Sequence, residues 1–344
     1  MNVFQQPAKR MKDVNQMDAI RVENLTKQFD GIFAVDSISF TVQQGELFGL
    51  LGPNGAGKTT TINMLSTLLK PSSGHAEIAG FDVSRERDAV RNSIGIVFQE
   101  PALDNRLTGR ENLEFHAMLY GMSKRERRAR IQEVFDLVEL TEKKDVLVQN
   151  YSGGMKRRLE IARGLIHRPK VLFLDEPTLG LDPQTRRNIW EYIKKLNEES
   201  RVTIILTTHY MEEADYLCGR VAIIDFGKIV AIDTPVNLKN MFGGDVISIE
   251  ADPPEKCFEA FKKFPWVREI SRHDGMISLN VDHGEKKIPL LMDIDQKGEG
   301  FEITSINLRK PTLEDVFLHF TGKTMRERES SQSERNRGHF RRGR

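Results

Sequence analysis

The chain has 344 residues, enough for one large domain and a smaller one, and 29% of them are charged, with a formal net charge of +1. That balance argues against a generic nucleic-acid binder, which carries a strong basic excess. No apolar run reaches the ~18 residues of a membrane-spanning helix, and two cysteines, Cys218 and Cys257, without CxxC spacing or a histidine cluster suit a reducing compartment. Residues 1–17 lack the apolar core of a secretory signal and read as a flexible leader.

From Ala19 to Phe40, IRVENL and AVDSISFTV alternate apolar and polar positions as strands do. Leu47 to Leu51 is a short apolar run of the buried-strand kind. The helical pattern Ile62, Leu65, Leu68, Leu69 follows it. Residues from about 101 to 165 are charge-dense and helical in period, with Ile131, Val134, Phe135 and Val138 as an amphipathic stripe. VLFLDEP and TIILTTH, each preceded by a helical stretch, then imply a parallel sheet covered on both faces. VAIID-FGK-IVAID reads as a hairpin. A small α+β domain is expected over 245–323, with VISIEA, MISLNV and FEITSINL as strands and TLEDVFLHF as its last helix. The segment 324–344 is rich in arginine and poor in apolar residues, a disordered basic tail.

Between the Leu47–Leu51 strand and the helix stands GPNGAGKTT. Gly52, Pro53, Asn54, Gly55, Ala56, Gly57, Lys58 and Thr59 fit the phosphate-loop pattern G-x-x-x-x-G-K-S/T, with Thr60 next. Glycines let successive amides point at phosphate oxygens, and the helix start adds its positive end. Lys58 brings a full charge to the β- and γ-phosphates, and the Thr59 hydroxyl can ligate Mg2+. VLFLDEP places Asp175 and Glu176 at a strand's C-terminal end, where parallel sheets bind ligands. Asp175 can hold Mg2+ through water, and Glu176 can act as general base on the attacking water. Without the phosphate loop, the pair reads rather as two solvated acids at a strand end. In Tyr151-Ser152-Gly153-Gly154-Met155, Ser152 is a helix N-cap and the glycines open a second anion site, a commonplace feature in isolation.

The order phosphate loop, Gln99, YSGGM, FLDEP, LGLD, His209 resembles the nucleotide-binding subunit of ATP-binding-cassette (ABC) transporters. The stretch YSGGMKRRLEIARGLIHRPKVLFLDEPTLGLDP resembles the daunorubicin-resistance type of exporter ATPase, as does PTLEDVFLHFTGK at the end. The resemblance implies an α/β fold, a P-loop NTPase ABC cassette over 18–240. That cassette has a mostly parallel core sheet, an antiparallel β portion and a helical subdomain, and the small C-terminal α+β domain follows it.

The resemblance also implies roles. Phe29 stacks on adenine, or else is a plain core aromatic. Gln99 contacts Mg2+ or the attacking water. His209 contacts the γ-phosphate, with a structural strand-end histidine as the competing reading. Asp182 crosses a dimer interface. Ser152, Gly153, Gly154 and Met155 meet the ATP of an opposite subunit, although Tyr151 and Met155 depart from the commonest LSGGQ form. ATP and Mg2+ are the expected cofactors. The expected partners are a second copy of the cassette and a polytopic membrane permease, with no nucleic acid, at the cytoplasmic face of the membrane. The implied function is ATP hydrolysis powering export of a drug, lipid or other amphipathic compound. A soluble ABC ATPase acting on ribosome or nucleic acid is the alternative.

Overall fold

The computed structural model describes residues 18–273, 275–296 and 300–321. The expected leader over 1–17 and tail over 324–344 lie outside these. By internal packing the chain divides into two compact units, one drawn from residues 1–48 and 59–207, the other from 49–58 and 208–344.

In the first unit, β1 (Asp18–Phe29) and β2 (Ile32–Gln43) form an antiparallel hairpin. Its two-residue tip, Asp30-Gly31, holds positive φ at both positions, the geometry that Asp-Gly favours in a tight hairpin. Strand β3 (Leu47–Leu51) and helix α1 (Lys58–Leu65) are where the chain passes between units. Helix α1 is shorter than the apolar spacing predicts. Thr67 takes a left-handed conformation at φ +65° just past its end, so Leu68 points to solvent rather than continuing the stripe. Strands β4 (Ser73–Ile78) and β5 (Phe81–Asp82) complete a sheet of order β2-β1-β4-β5.

Helix α2 (Arg87–Ser93) leads to β6 (Ile94–Val97), followed by α3 (Gly109–Leu119) and α4 (Lys124–Leu137). Both α3 and α4 open with capping boxes, Thr108 with Glu111 and Ser123 with Glu126. The predicted stripe of α4, Ile131, Val134 and Phe135, is buried, as is Val138. Next come α5 (Gly153–Leu165), β7 (Val171–Asp175), α6 (Pro183–Ser200) and β8 (Thr203–Thr208). Strands β6, β7 and β8 pair in parallel, with Val97 opposite Leu174 and Asp175 opposite Thr207. Every residue of β7 and β8 is buried, which is why VLFL and IIL read as continuous apolar stretches rather than alternating ones.

In the second unit, α7 (Met211–Leu217) precedes the hairpin β9 (Arg220–Asp225) and β10 (Lys228–Asp233). Helix α8 (Pro235–Phe242) leads into β11 (Asp245–Asp252), α9 (Pro254–Phe261), β12 (Val267–His273), β13 (Met276–Val281), α10 (Gly284–Gln296), β14 (Glu302–Arg309) and α11 (Leu313–Thr321). The four strands form an antiparallel sheet of order β12-β13-β11-β14. Ile247, Ile249, Ile277 and Leu279 from the sheet pack with Cys257, Phe261, Leu291 and Phe301. Strand β12 escapes the sequence pattern because VREISRH carries Arg268, Glu269 and Arg272 among its seven residues, charge of the kind edge strands carry. Among the described residues no helix is long and apolar enough to cross a membrane.

Candidate nucleotide site

The phosphate loop follows the last residue of β3. The Gly52 amide donates to the Thr208 carbonyl at 3.2 Å. A Cβ at Gly52 would stand 2.2 Å from the Ile224 carbonyl oxygen, so only glycine lets the loop leave the strand here. The loop curls through an Ala56 amide to Pro53 carbonyl bond of 3.1 Å, and Gly57 reaches φ +107° immediately before α1 begins. Lys58 is buried. Its ammonium donates to the Gly52 carbonyl at 2.7 Å and to that of Pro53 at 3.1 Å. The loop thus folds around its own cation, the arrangement that receives phosphate oxygens.

The acidic residues lie in the first unit. Asp175 ends β7 and is buried. Its Oδ1 accepts from the Thr59 hydroxyl at 3.3 Å and from the Thr207 hydroxyl at 2.5 Å. The Glu176 amide donates to Thr207 twice, to its carbonyl at 3.2 Å and its Oγ1 at 3.0 Å. Glu176 is itself buried and holds φ +48°, a left-handed conformation uncommon outside glycine. Thr207 therefore orients both acids at once. Its place in a β-branched run, TIILTT, gives no such sign in the sequence. The hard oxygens of Thr59 and Asp175 suit Mg2+, which takes one or two protein oxygens and fills its shell with phosphate and water. Gln99 is exposed beyond β6.

The signature residues occupy the start of α5. Ser152 is its N-cap and accepts from the Met155 amide at 3.2 Å, as the sequence predicts. The first turn of α5 holds no acid, so its positive end is not offset. Gly153 and Gly154 face Leu181 and Thr185, which brings the signature against the Asp182 segment. Asp182 caps α6 through the Thr185 amide at 3.0 Å, and hydrogen bonds from the side chain and backbone of Thr185 hold its carboxyl below the ordinary value. Phe29 is 46% exposed beside the hairpin tip, with the Lys27 ammonium 4.9 Å from its ring centroid. Its reading as a core aromatic therefore falls. His209 follows β8 in the second unit, its ring 4.1 Å from that of Tyr210.

A family model described as ABC transporter matches residues 35–179, and one for the DrrA1-3-like ATP-binding protein C-terminal domain matches 234–321. The linearmycin resistance ATP-binding protein LnrL of Bacillus subtilis (strain 168) is 39% identical over 312 residues, spanning 90% of this chain and 100% of the relative. The chain belongs to the ABC transporter family. The daunorubicin/doxorubicin resistance ATP-binding protein DrrA of Streptomyces peucetius is 37% identical over 319 residues, spanning 92% of this chain and 96% of its own. Among solved structures, cbiO1 from Clostridium perfringens, part of the ABC transporter complex cbiONQ, superposes with a TM-score of 0.62 at 31% identity. It covers 66% of this chain and 92% of cbiO1. The ATP-binding cassette MJ0796, dimeric and bound to ADP and Pi, superposes at 0.55 with 30% identity over 62% of this chain and 98% of its own.

The fold is thus that of an ABC cassette, and the protein is an ATP-binding and ATP-hydrolysing ABC transporter subunit whose relatives are named for drug resistance and export. Those relatives do not favour the ribosome- or nucleic-acid-directed alternative.

Proposed function

We propose that two copies of this chain sandwich two ATP molecules and drive a separate polytopic permease at the cytoplasmic face of the membrane. The carrying observation is the cluster in which Asp175 accepts from Thr59, the residue that follows the phosphate-loop lysine, while Thr207 ties Asp175 to Glu176. Residues 52–60 hold the phosphates, and Phe29 supplies a stacking face for adenine. Thr59, Gln99 and Asp175 are the residues that would hold Mg2+. That ion, when bound, neutralises charge on the β- and γ-phosphate oxygens. Glu176 takes a proton from the attacking water and His209 contacts the γ-phosphate. The chain has a single phosphate loop and a single SGG signature. A second copy therefore supplies Ser152, Gly153, Gly154 and Met155 to each ATP, with Asp182 at the interface, in keeping with the dimeric MJ0796 structure.

Relatives are named for resistance to linearmycin and to daunorubicin, and for Nod factor export. We take the cargo to be a drug, lipid or other amphipathic compound moving outward. The described residues hold no spanning helix, so the pathway belongs to the partner. Helix α3 offers Phe115, Met118 and Leu119, all exposed and spaced along one helical face, as the surface for that partner.

The test is a tagged Glu176→Gln chain extracted from native membranes in mild detergent with Mg-ATP. Turnover is expected to fall about a hundredfold or more while ATP stays bound and the dimer persists. A polytopic membrane protein is expected to co-purify. Near-normal turnover would remove Glu176 as base, and capture of only soluble partners would remove the permease.

A further inference from the structure

We infer that Arg157 is a positioning residue that aims Glu176 and the Gln99-bearing loop from the signature helix. The inference rests on the assignment of Glu176 proposed above. Arg157 lies about one turn past the Ser152 cap of α5 and is 7% exposed. Its Nε donates to the Pro177 carbonyl at 2.7 Å, and its Nη2 to the Asp175 carbonyl at 3.1 Å. Its Nη1 donates to the Phe98 carbonyl at 2.8 Å and to Glu160 Oε2 at 3.0 Å. Glu160, 2% exposed, accepts from the Ala102 amide at 2.8 Å through its other oxygen.

These acceptors are not scattered. Asp175 and Pro177 flank Glu176, and Phe98 precedes Gln99. One guanidinium therefore grips the peptides on both sides of the proposed base and the peptide entering the glutamine loop. Glu176 needs that grip, because a left-handed non-glycine residue persists where its surroundings over-determine it. Thr207 holds its amide, and Arg157 holds the carbonyls before and after. The planar fork of arginine reaches three chain segments at once, whereas the point charge of lysine cannot. A buried ion pair is retained when its geometry is good and its remaining donors are satisfied, as here. The helix that presents Ser152 to the nucleotide of the opposite subunit is thereby tied, one turn later, to the acid of its own subunit.

The experiment compares full-length wild type, Arg157→Lys, Glu176→Gln and the double variant, with turnover and affinity for a fluorescent ATP analogue measured on each. For Arg157→Lys, kcat is expected to fall about tenfold or more, since sub-ångström misplacement of a reacting group is costly. Analogue affinity should stay within about twofold, because the bonds described above go to Phe98, Glu160, Asp175 and Pro177, the peptides around the proposed base and the glutamine loop. In the Glu176→Gln background the added substitution should lower residual turnover less than about threefold, since the two residues act as a unit. Unchanged kcat, a joint loss of kcat and affinity, or additive losses in the cycle would each overturn the inference, the last two marking a mere brace. Where Arg157→Lys does not accumulate folded, Arg157→Gln combined with Glu160→Gln carries the same comparison without leaving Glu160 as an unpaired buried charge. Near-normal turnover of Glu176→Gln alone would instead sink the base assignment, so the two failures are told apart.

Discussion

Phe29 is an aromatic left outside the core at the end of β1, and that exposure gives it a surface to offer a planar ligand. Stacking between a base and an aromatic ring is worth about 1–3 kcal/mol by alanine substitution. Phe29→Ala should therefore weaken ATP binding about tenfold. Phe29→Tyr should stay within about twofold, because the ring face is kept. Calorimetric titration in the Glu176→Gln background reads this directly, and equal affinities for the alanine variant and its parent would remove the stacking role. Lys58, Thr59, Asp175 and Glu176 were legible in sequence because their chemistry depends on local spacing along a strand, loop and helix. Thr207 and Arg157 were not. Each matters through the chain segments that folding brings to it, and neither a threonine in a β-branched run nor an arginine in a basic helix start advertises that.

Among elements, the buried parallel strands β7 and β8 were readable because burial on both faces favours the apolar stretches VLFL and IIL at their centres. Strands β4 and β12 were hidden by polar composition, and the end of α1 by apolar residues that run past it. Helix α11 begins at a carboxylate held from two sides. In PTLED, Thr312 donates its amide and hydroxyl to Asp315 Oδ2 at 2.7 and 2.8 Å. Arg309, at the end of β14, clamps the same carboxylate through Nη1 and Nη2, at 2.5 and 2.8 Å. Burial alone would raise the Asp315 pKa, but the Arg309 bonds, then those from Thr312, outweigh it and hold the carboxyl below its ordinary 3.8. A carboxylate with a depressed folded pKa adds stability that is fully present above the unfolded value and is lost as pH falls through the folded one. Asp315→Asn should therefore lower stability by about 2 kcal/mol at neutral pH, since it removes hydrogen bonds to a charged group and leaves Arg309 unmatched. Urea unfolding of both proteins from neutrality downward checks this. The gap should be constant above the ordinary carboxylate value and narrow below it. A gap unchanged into strong acid would show that the charge of Asp315 contributes nothing.

For the molecule as a whole, a near-neutral net charge gives little overall pull toward an anionic surface, so the proposed docking to a permease is argued from a specific patch. Phe115 and Leu119 on α3 are 58% and 68% exposed, with Met118 between them on the same face. The helix does not need these side chains for its own packing, because Leu113 and Ala117 fill its buried side. A partner that covers them would remove apolar area worth about 25 cal/mol per Å2 from water. Leu119→Glu should thus leave the melting temperature and ATP affinity of the isolated chain nearly unchanged, as surface substitutions do. It should reduce recovery of the membrane partner about tenfold in the Glu176→Gln capture, because it places an unpaired charge in an apolar contact. Lost ATP affinity alongside lost capture would mean that the substitution had damaged the cassette. Full capture with Leu119→Glu would move the proposed permease contact away from α3 while leaving the chemistry proposed for Asp175, Glu176 and Lys58 untouched.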